Sequence, residues 1–312
     1  MKSNVSDRAL EEAVLIVTQA TEHAARRPLV ESFFHAPTST ISHIVRDPSS
    51  DSCAVIDSVL DFDQASGCTT QTSVNLLIQH LRNRSLRVEW LLETHAHADH
   101  LSAAPVLREQ MGGQLAIGER ITFVQETFGA LFNLGDTFAR DGSQFDHLFH
   151  DGERFTIGGL DGIALHVPGH TPACMAYVIG DAVFPGDTLF MPDYGTARCD
   201  FPGGSAAALY HSIRRLQALP DESRVFLCHD YKAPGRDKVV WETTIGAERT
   251  TNIYISEEVS EADFVAQREA RDKTLSMPAL LLPSVQVNIR GGNLPDPEPN
   301  GVRYLKLPLN AL

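Results

Sequence analysis

The apolar positions along this chain change their spacing several times, and each change marks an element. Leu10, Val14 and Val17 recur at i, i+4 and i+7 and predict an amphipathic helix near the start. "STISHIV" (39–45) and "SCAVID" (52–57) are β-branched apolar runs on either side of "RDPSSD", so they predict two strands joined by a turn. Helical spacing returns at Val74, Leu77, Ile78 and Leu81, and "LRVEWLLET" (86–94) is then an apolar strand. "HLSAAPVLREQMGG" (100–113) predicts a helix in which Pro105 is tolerable only near the start and Gly112-Gly113 form the stop. "QLAIG" (114–118) is the next strand, and from about residue 145 apolar runs alternate with D-G and G-D turns, strand after strand. Leu209, Ile213 and Leu216 predict a helix closed by Pro220, followed by the strand "RVFLCHD" (224–230). Beyond it, "SEADFVAQREARDKTL" (260–275) predicts one helix, and "MPALLLPSVQVNIRGG" (277–292) an extended, proline-punctuated run. The order is β-β-α-β-α-β, a β-rich half, then α-β, which predicts a layered α/β fold.

Composition narrows the function. The 312 residues are 43% hydrophobic, enough to fill a core, and the formal charge of −14 repels polyanions, so no nucleic-acid partner is expected. The five cysteines (Cys53, Cys68, Cys174, Cys199 and Cys228) include no C-x-x-C pair. They predict free thiols in a reducing compartment. No apolar run of about 18 residues predicts a membrane span. The N-terminus, with early acidic residues and no sustained apolar stretch, does not read as a signal peptide. A cytoplasmic protein is expected, with no membrane partner.

The chemistry is concentrated in four pieces. They are His95-Ala96-His97-Ala98-Asp99-His100, Pro168-Gly169-His170-Thr171, Gly186-Asp187-Thr188 and Cys228-His229-Asp230, each just past an apolar strand. Loops at strand ends converge from distant parts of a chain to make sites. Imidazole and carboxylate together suit zinc, iron or manganese rather than calcium or magnesium. A closed structural zinc site would favour cysteines at C-x-x-C spacing, which is missing. His80, His147, His150 and His211 stand alone and read as ordinary polar residues.

Taken together, "THAHADH", "PGHT", "GDTLF" and "CHDY" resemble the motif series of the metallo-β-lactamase fold, over roughly Thr38 to Tyr231. The resemblance implies an αββα sandwich, two mixed β-sheets flanked by helices. It also implies a helical extension at 1–35, a catalytic core at 36–235 and a substrate-binding extension at 236–312 packed on that core. Within the superfamily, "GHTPACMAYVIGDAVFPGDTLF", "GTARCDF" and the tail "PSVQVNIRGGNLPDPEPNGVRYLKLPL" are most similar to persulfide dioxygenases, also called sulfur dioxygenases. That likeness implies one Fe(II) per chain held by His95, His170 and Asp187. Glutathione persulfide and O2 would be the substrates, sulfite and glutathione the products, and a homodimer the usual assembly. His97, Asp99, His100 and His229 would orient ligands and hold water. Arg198 and Asp230 are similar to a buried polar pair beneath such sites, with Tyr231 alongside.

The alternative is a dinuclear zinc thioester hydrolase of glyoxalase II type. His95, His97 and His170 would hold one ion, Asp99, His100 and His229 the other, and Asp187 would bridge them. Two features favour the dioxygenase. Ala173 and Cys174 stand where glyoxalase II proteins usually carry glycine and histidine, and the tail reads as extended where theirs is mostly helical. An acidic chain needs local cations to hold an anionic peptide, so Arg249 and Arg290 are the expected carboxylate partners, with Tyr231 lining the pocket. Cys174, Cys199 and Cys228 fall close to the motifs and are expected to be small buried hydrophobes.

Overall fold

The structure, a computed structural model, describes residues 7–311. Met1–Ser6, the first part of the segment judged not to be a signal peptide, lie outside them, as does Leu312. In chain order the elements are α1 (Arg8–Glu22), β1 (Leu29–His35), β2 (Thr40–Arg46), β3 (Ser52–Ile56), β4 (Val59–Asp63), β5 (Cys68–Thr70), α2 (Thr72–Asn83), β6 (Arg87–Leu92), β7 (Leu101–Ser102), α3 (Ala104–Met111), β8 (Gln114–Gly118) and α4 (Ile121–Leu131). They continue as β9 (His147–Phe149), β10 (Glu153–Ile157), β11 (Leu160–His166), β12 (Met175–Ile179), β13 (Ala182–Phe184), α5 (Ala206–Leu216), β14 (Arg224–Phe226), β15 (Glu242–Thr244), α6 (Ile245–Thr251), α7 (Glu261–Asp272) and α8 (Leu281–Asn288).

Two six-stranded sheets carry the fold, ordered β1-β2-β3-β6-β8-β9 and β10-β11-β12-β13-β14-β15. Both are mixed. The first turns parallel from β3 onward, and the second has its one parallel pair at β13 and β14. Strand alternation builds three cores from these sheets. In β3 and β12, Ala54, Ile56, Met175, Tyr177 and Ile179 fill the space between the sheets. Their neighbours Cys53 and Val55 pack outward with residues of α2, α3 and α4, and Ala176 and Val178 pack outward with residues of α1, α5 and α7. Burial on both faces explains the near-continuous apolar runs. The result is the expected αββα sandwich.

Three expectations need correction. The run 277–292 is not extended: α8 occupies Leu281–Asn288. Leu281, Val285 and Ile289 recur every four residues and bury against the outer core of the first sheet, while Pro283 falls in the first turn, where no intrahelical N–H is lost. With α6 and α7, the tail is helical in three segments up to Asn288 and irregular over 293–311, so it no longer separates the two enzyme readings sharply. The segment 1–35 is not wholly helical either, because β1 pairs with β2 along all seven residues. Finally, α3 starts at Ala104 rather than His100, since Leu101 and Ser102 pair with β4. β4, β5, α4 and α6 were also missed.

The four motif pieces follow the C-terminal ends of β6, β11, β13 and β14, at one edge of the sandwich. There Thr40 bridges His229, tying the first sheet to the second. Gly169 lies flat against α5: its φ is +149°, and a Cβ there would stand 2.4 Å from Leu209 Cα. Helix backbone cannot yield locally. Gly169→Ala is therefore expected to destabilise the protein by about 2 kcal/mol or more in chemical denaturation, and to loosen metal retention at His170.

Candidate metal centre

Beyond β6 the chain makes a tight loop whose shape is set by a residue the sequence reading passed over. Asp57 follows β3 and is 1% exposed. Its carboxylate accepts from Thr94 N and Thr94 Oγ1, both at 2.8 Å, and from His97 Nε2 at 2.9 Å. Burial works against its ionisation, but the His97 charge and these donors hold its pKa below the usual aspartate value. Gly186, at φ +53°, passes so close to Thr94 that a Cβ would lie 2.6 Å from Oγ1. That contact sets the 186–188 turn carrying Asp187 against the histidine loop.

His95, His170 and Asp187 converge, each offering one donor atom within 4.8 Å of the others. Asp187 Oδ2 lies 3.5 Å from His170 Nε2 and 3.9 Å from His95 Nε2. These are too long for hydrogen bonds. They are close to the separation of two donors sharing an ion at about 2.0–2.2 Å from each. His170 Nδ1 donates to Arg198 O at 2.8 Å, which turns Nε2 toward the cluster. His95 Nε2 is buried with no hydrogen-bond partner. Burial, reinforced by His97 and His170, holds the His95 pKa well below the usual histidine value, so its lone pair is free. A buried, unpartnered nitrogen is costly without an ion, and the donor set fits one.

A second set of donors adjoins the first. His97, Asp99 and His229 also gather within 4.8 Å, with His229 Nε2 3.5 Å from Asp99 Oδ2 and 3.4 Å from Asp187 Oδ1. His100 Nε2 and His229 Nε2 are buried and unpartnered as well, and burial pushes the His100 pKa down to about 4. His97 differs. Its Nε2 is engaged by Asp57 and lies 3.3 Å from Glu93 Oε2. Burial opposes a charge on it, yet those two carboxylates raise its pKa well above the usual value. Only its Nδ1 is left without a partner. Asp187 Oδ1 also accepts from the Cys228 thiol, at 2.8 Å. Cys174, Cys199 and Cys228 are all buried, as expected of small apolar residues, but Cys228 touches a metal-ligand candidate.

The cluster opens into a cavity of about 520 Å³ whose wall includes His170, Asp187, Tyr194, Tyr231, Arg268 and Arg271. Tyr231 is where the sequence placed it, stacked on His229 at 5.3 Å. The other substrate and polar-pair assignments change. Arg198 does reach the cavity, but it pairs with Asp200 at 2.6 Å, next but one in the chain. Asp230 is held by both Nη atoms of Arg236, at 2.6 and 2.7 Å, and braces the loop after β14. Arg249 pairs with Asp221 at the surface. Arg290 lies over the Phe138 ring in a separate cleft. The tail cations that do face the cavity are Arg268, tied to Asp272, and Arg271, exposed and without an ion pair among the described residues. Their signal was visible: "REARD" puts both on one face of the helix predicted at 260–275. The hairpin tip "HAPTST" (35–40) was missed. Ser39 O accepts from His229 Nδ1, and Thr40 Oγ1 donates to Asp99 Oδ2.

Known proteins share this architecture. Residues 37–229 match the Metallo-beta-lactamase superfamily model. A probable metallo-hydrolase of Burkholderia pseudomallei is 55% identical over 91% of this chain and 99% of its own length. Glyoxylase B2 of Dictyostelium discoideum is 47% identical over 91% and 97%. The mitochondrial persulfide dioxygenase ETHE1 of Homo sapiens is 27% identical over 72% and 74%. The crystal structure of ETHE1 from Myxococcus xanthus aligns with a TM-score of 0.67 at 28% identity, over 85% of this chain and 100% of that one. With the match covering more than half its length, this chain belongs to the metallo-beta-lactamase superfamily.

Proposed function

We propose that this metal-dependent enzyme is a mononuclear iron dioxygenase that oxidises a glutathione persulfide to sulfite and glutathione. One observation carries the reading over a dinuclear one. Asp187 presents Oδ2 to His95 and His170, while its other oxygen accepts a hydrogen bond from the Cys228 thiol. A bridging aspartate would need to serve a second ion through Oδ1, where His229 Nε2 lies 3.4 Å away and the thiol, at 2.8 Å, competes for that role. Ala173 and Cys174, in place of glycine and histidine after the PGHT loop, point the same way. So does the likeness to the persulfide dioxygenases.

Two histidines and one carboxylate would hold the ion, and iron bound there would supply the chemistry that brings a persulfide sulfur and O2 together. The chain's own residues do the rest. Arg198 O fixes the His170 ring, and Asp57 fixes the loop carrying His95. Arg271 and Arg268 are the only tail cations that line the cavity among the described residues; Arg268 is held by Asp272, so Arg271 is placed to receive the peptide's carboxylates. Tyr194, Tyr231 and Tyr254 give the walls apolar bodies against which a tripeptide can lie.

The thioester-hydrolase reading keeps one specific support. His100 Nε2 and His229 Nε2 are buried without partners beside Asp99, a ready second donor set. The three tail helices and the relative named Glyoxylase B2 sit with it.

Substitutions separate the two. Replacing His170 or Asp187 with Ala is expected to remove both metal and oxygen uptake. His229→Ala is expected to leave iron bound while activity falls about 10–100-fold. Loss of one of two metal ions in His229→Ala would favour the hydrolase. Arg271→Ala is expected to raise KM for the persulfide about tenfold, equivalent to roughly 1.4 kcal/mol, with kcat little changed. The same substitution at Arg290 should leave KM where it was. Steady-state oxygen consumption reads both.

A further inference from the structure

The tip of the β1–β2 hairpin joins the metal centre to the outside through a line of hydrogen bonds that ends in an ion pair. Thr40 Oγ1 lies 3.2 Å from Asp99 Oδ2 and 3.4 Å from His100 Nδ1. Thr38 Oγ1 is 2.7 Å from Thr40 Oγ1, and His35 Nδ1 is 2.7 Å from Thr38 Oγ1. The other ring nitrogen, His35 Nε2, is 3.3 Å from Asp61 Oδ1. Exposure rises along the line: Thr40 is 0% exposed, the His35 side chain 10% and the Asp61 side chain 21%. Asp61 is held in place by Ser73 N and Ser73 Oγ at 2.8 and 2.6 Å. Thr38 also lines the cavity, so the line has an inlet there.

We propose that His35, Thr38 and Thr40 form a proton relay between the metal centre and solvent. Hydroxyls donate and accept at once, and a histidine can take a proton at one nitrogen while yielding one at the other. Both functional readings leave a proton behind. A persulfide anion, O2 and water give a thiol, sulfite and one proton; a thioester and water give a carboxylate, a thiol and one proton. With substrate filling the cavity mouth, water cannot carry that proton away by the same route. It enters at the threonine hydroxyls, which turn from the orientation in which Thr40 donates to Asp99, so that each gains one proton and hands its own on toward His35. His35 accepts at Nδ1 and releases its Nε2 proton to Asp61 and bulk water. The net change is one proton moved outward. The relay therefore does not depend on which substrate is correct.

The relay makes demands that a merely structural hydrogen bond does not. In weak buffer, His35→Gln keeps a hydrogen-bonding side chain but cannot shuttle, so kcat is expected to fall at least about tenfold, with KM and metal content unchanged. His35→Ala should lose as much and regain it on addition of imidazole, while Thr38→Val should lose activity that imidazole does not restore. A second readout needs no turnover. In protein 15N-labelled at histidine and free of paramagnetic metal, Thr40→Val should shift the His35 Nδ1 resonance, whereas Thr40→Ser, which keeps the hydroxyl at the same position paired with His35, should leave it in place. Full activity of His35→Gln in weak buffer, failure of imidazole to rescue His35→Ala, or a His35 resonance indifferent to Thr40→Val would each overturn the relay. If neither persulfide nor thioester is consumed, the proposed function falls while the resonance still decides the relay.

Discussion

The site depends on one buried carboxylate. Asp57 takes both donors of Thr94 and the Nε2 of His97, and through Thr94 it sets the distance at which Gly186 can pass. Without it, a loop holding three histidines and an aspartate would have no reason to keep their lone pairs pointed at one place. The arrangement is expensive, since an ionised group with 1% exposure survives only with full hydrogen bonding. It persists because the same bonds orient the ligands. The tail reinforces this from the other side: Asn288 on α8 donates to the carbonyls of His97 and His100, both at 2.8 Å.

Much of this is legible in the sequence. The metal-ligand candidates His95, His170 and Asp187 were readable because each follows an apolar run that ends in a strongly polar pair or triplet. The sandwich was readable because strands buried on both faces lose their alternation and stand out as apolar blocks. What escaped was set by tertiary contact. Asp57 is a lone aspartate after "SCAVI", and nothing local says that it will accept three hydrogen bonds. The run "LLPSVQVN" was read as extended because its prolines and β-branched residues disfavour helix; packing of Leu281 and Val285 on the first sheet outweighs that preference. Arg290 and Arg249 were chosen for their charge alone, and charge does not say which cleft a side chain will face.

The donors cluster on one side of a cavity in a strongly acidic protein, so recognition of the proposed anionic substrate would fall to very few cations. Arg271 is placed for it, and Arg198 and Arg268 are already committed to Asp200 and Asp272. The aromatic walls supply area rather than charge. Under the proposed function, catalysis would divide between His95, His170 and Asp187 for the ion, Arg271 for the peptide, and the proposed relay at the hairpin tip for protons.

The most direct test is the metal and oxygen balance of the unmodified protein, purified without air and given glutathione persulfide. The account predicts one iron per chain, with oxygen consumed and sulfite formed in equal amounts. Two zinc ions per chain, hydrolysis of a glutathione thioester and no oxygen uptake would contradict it.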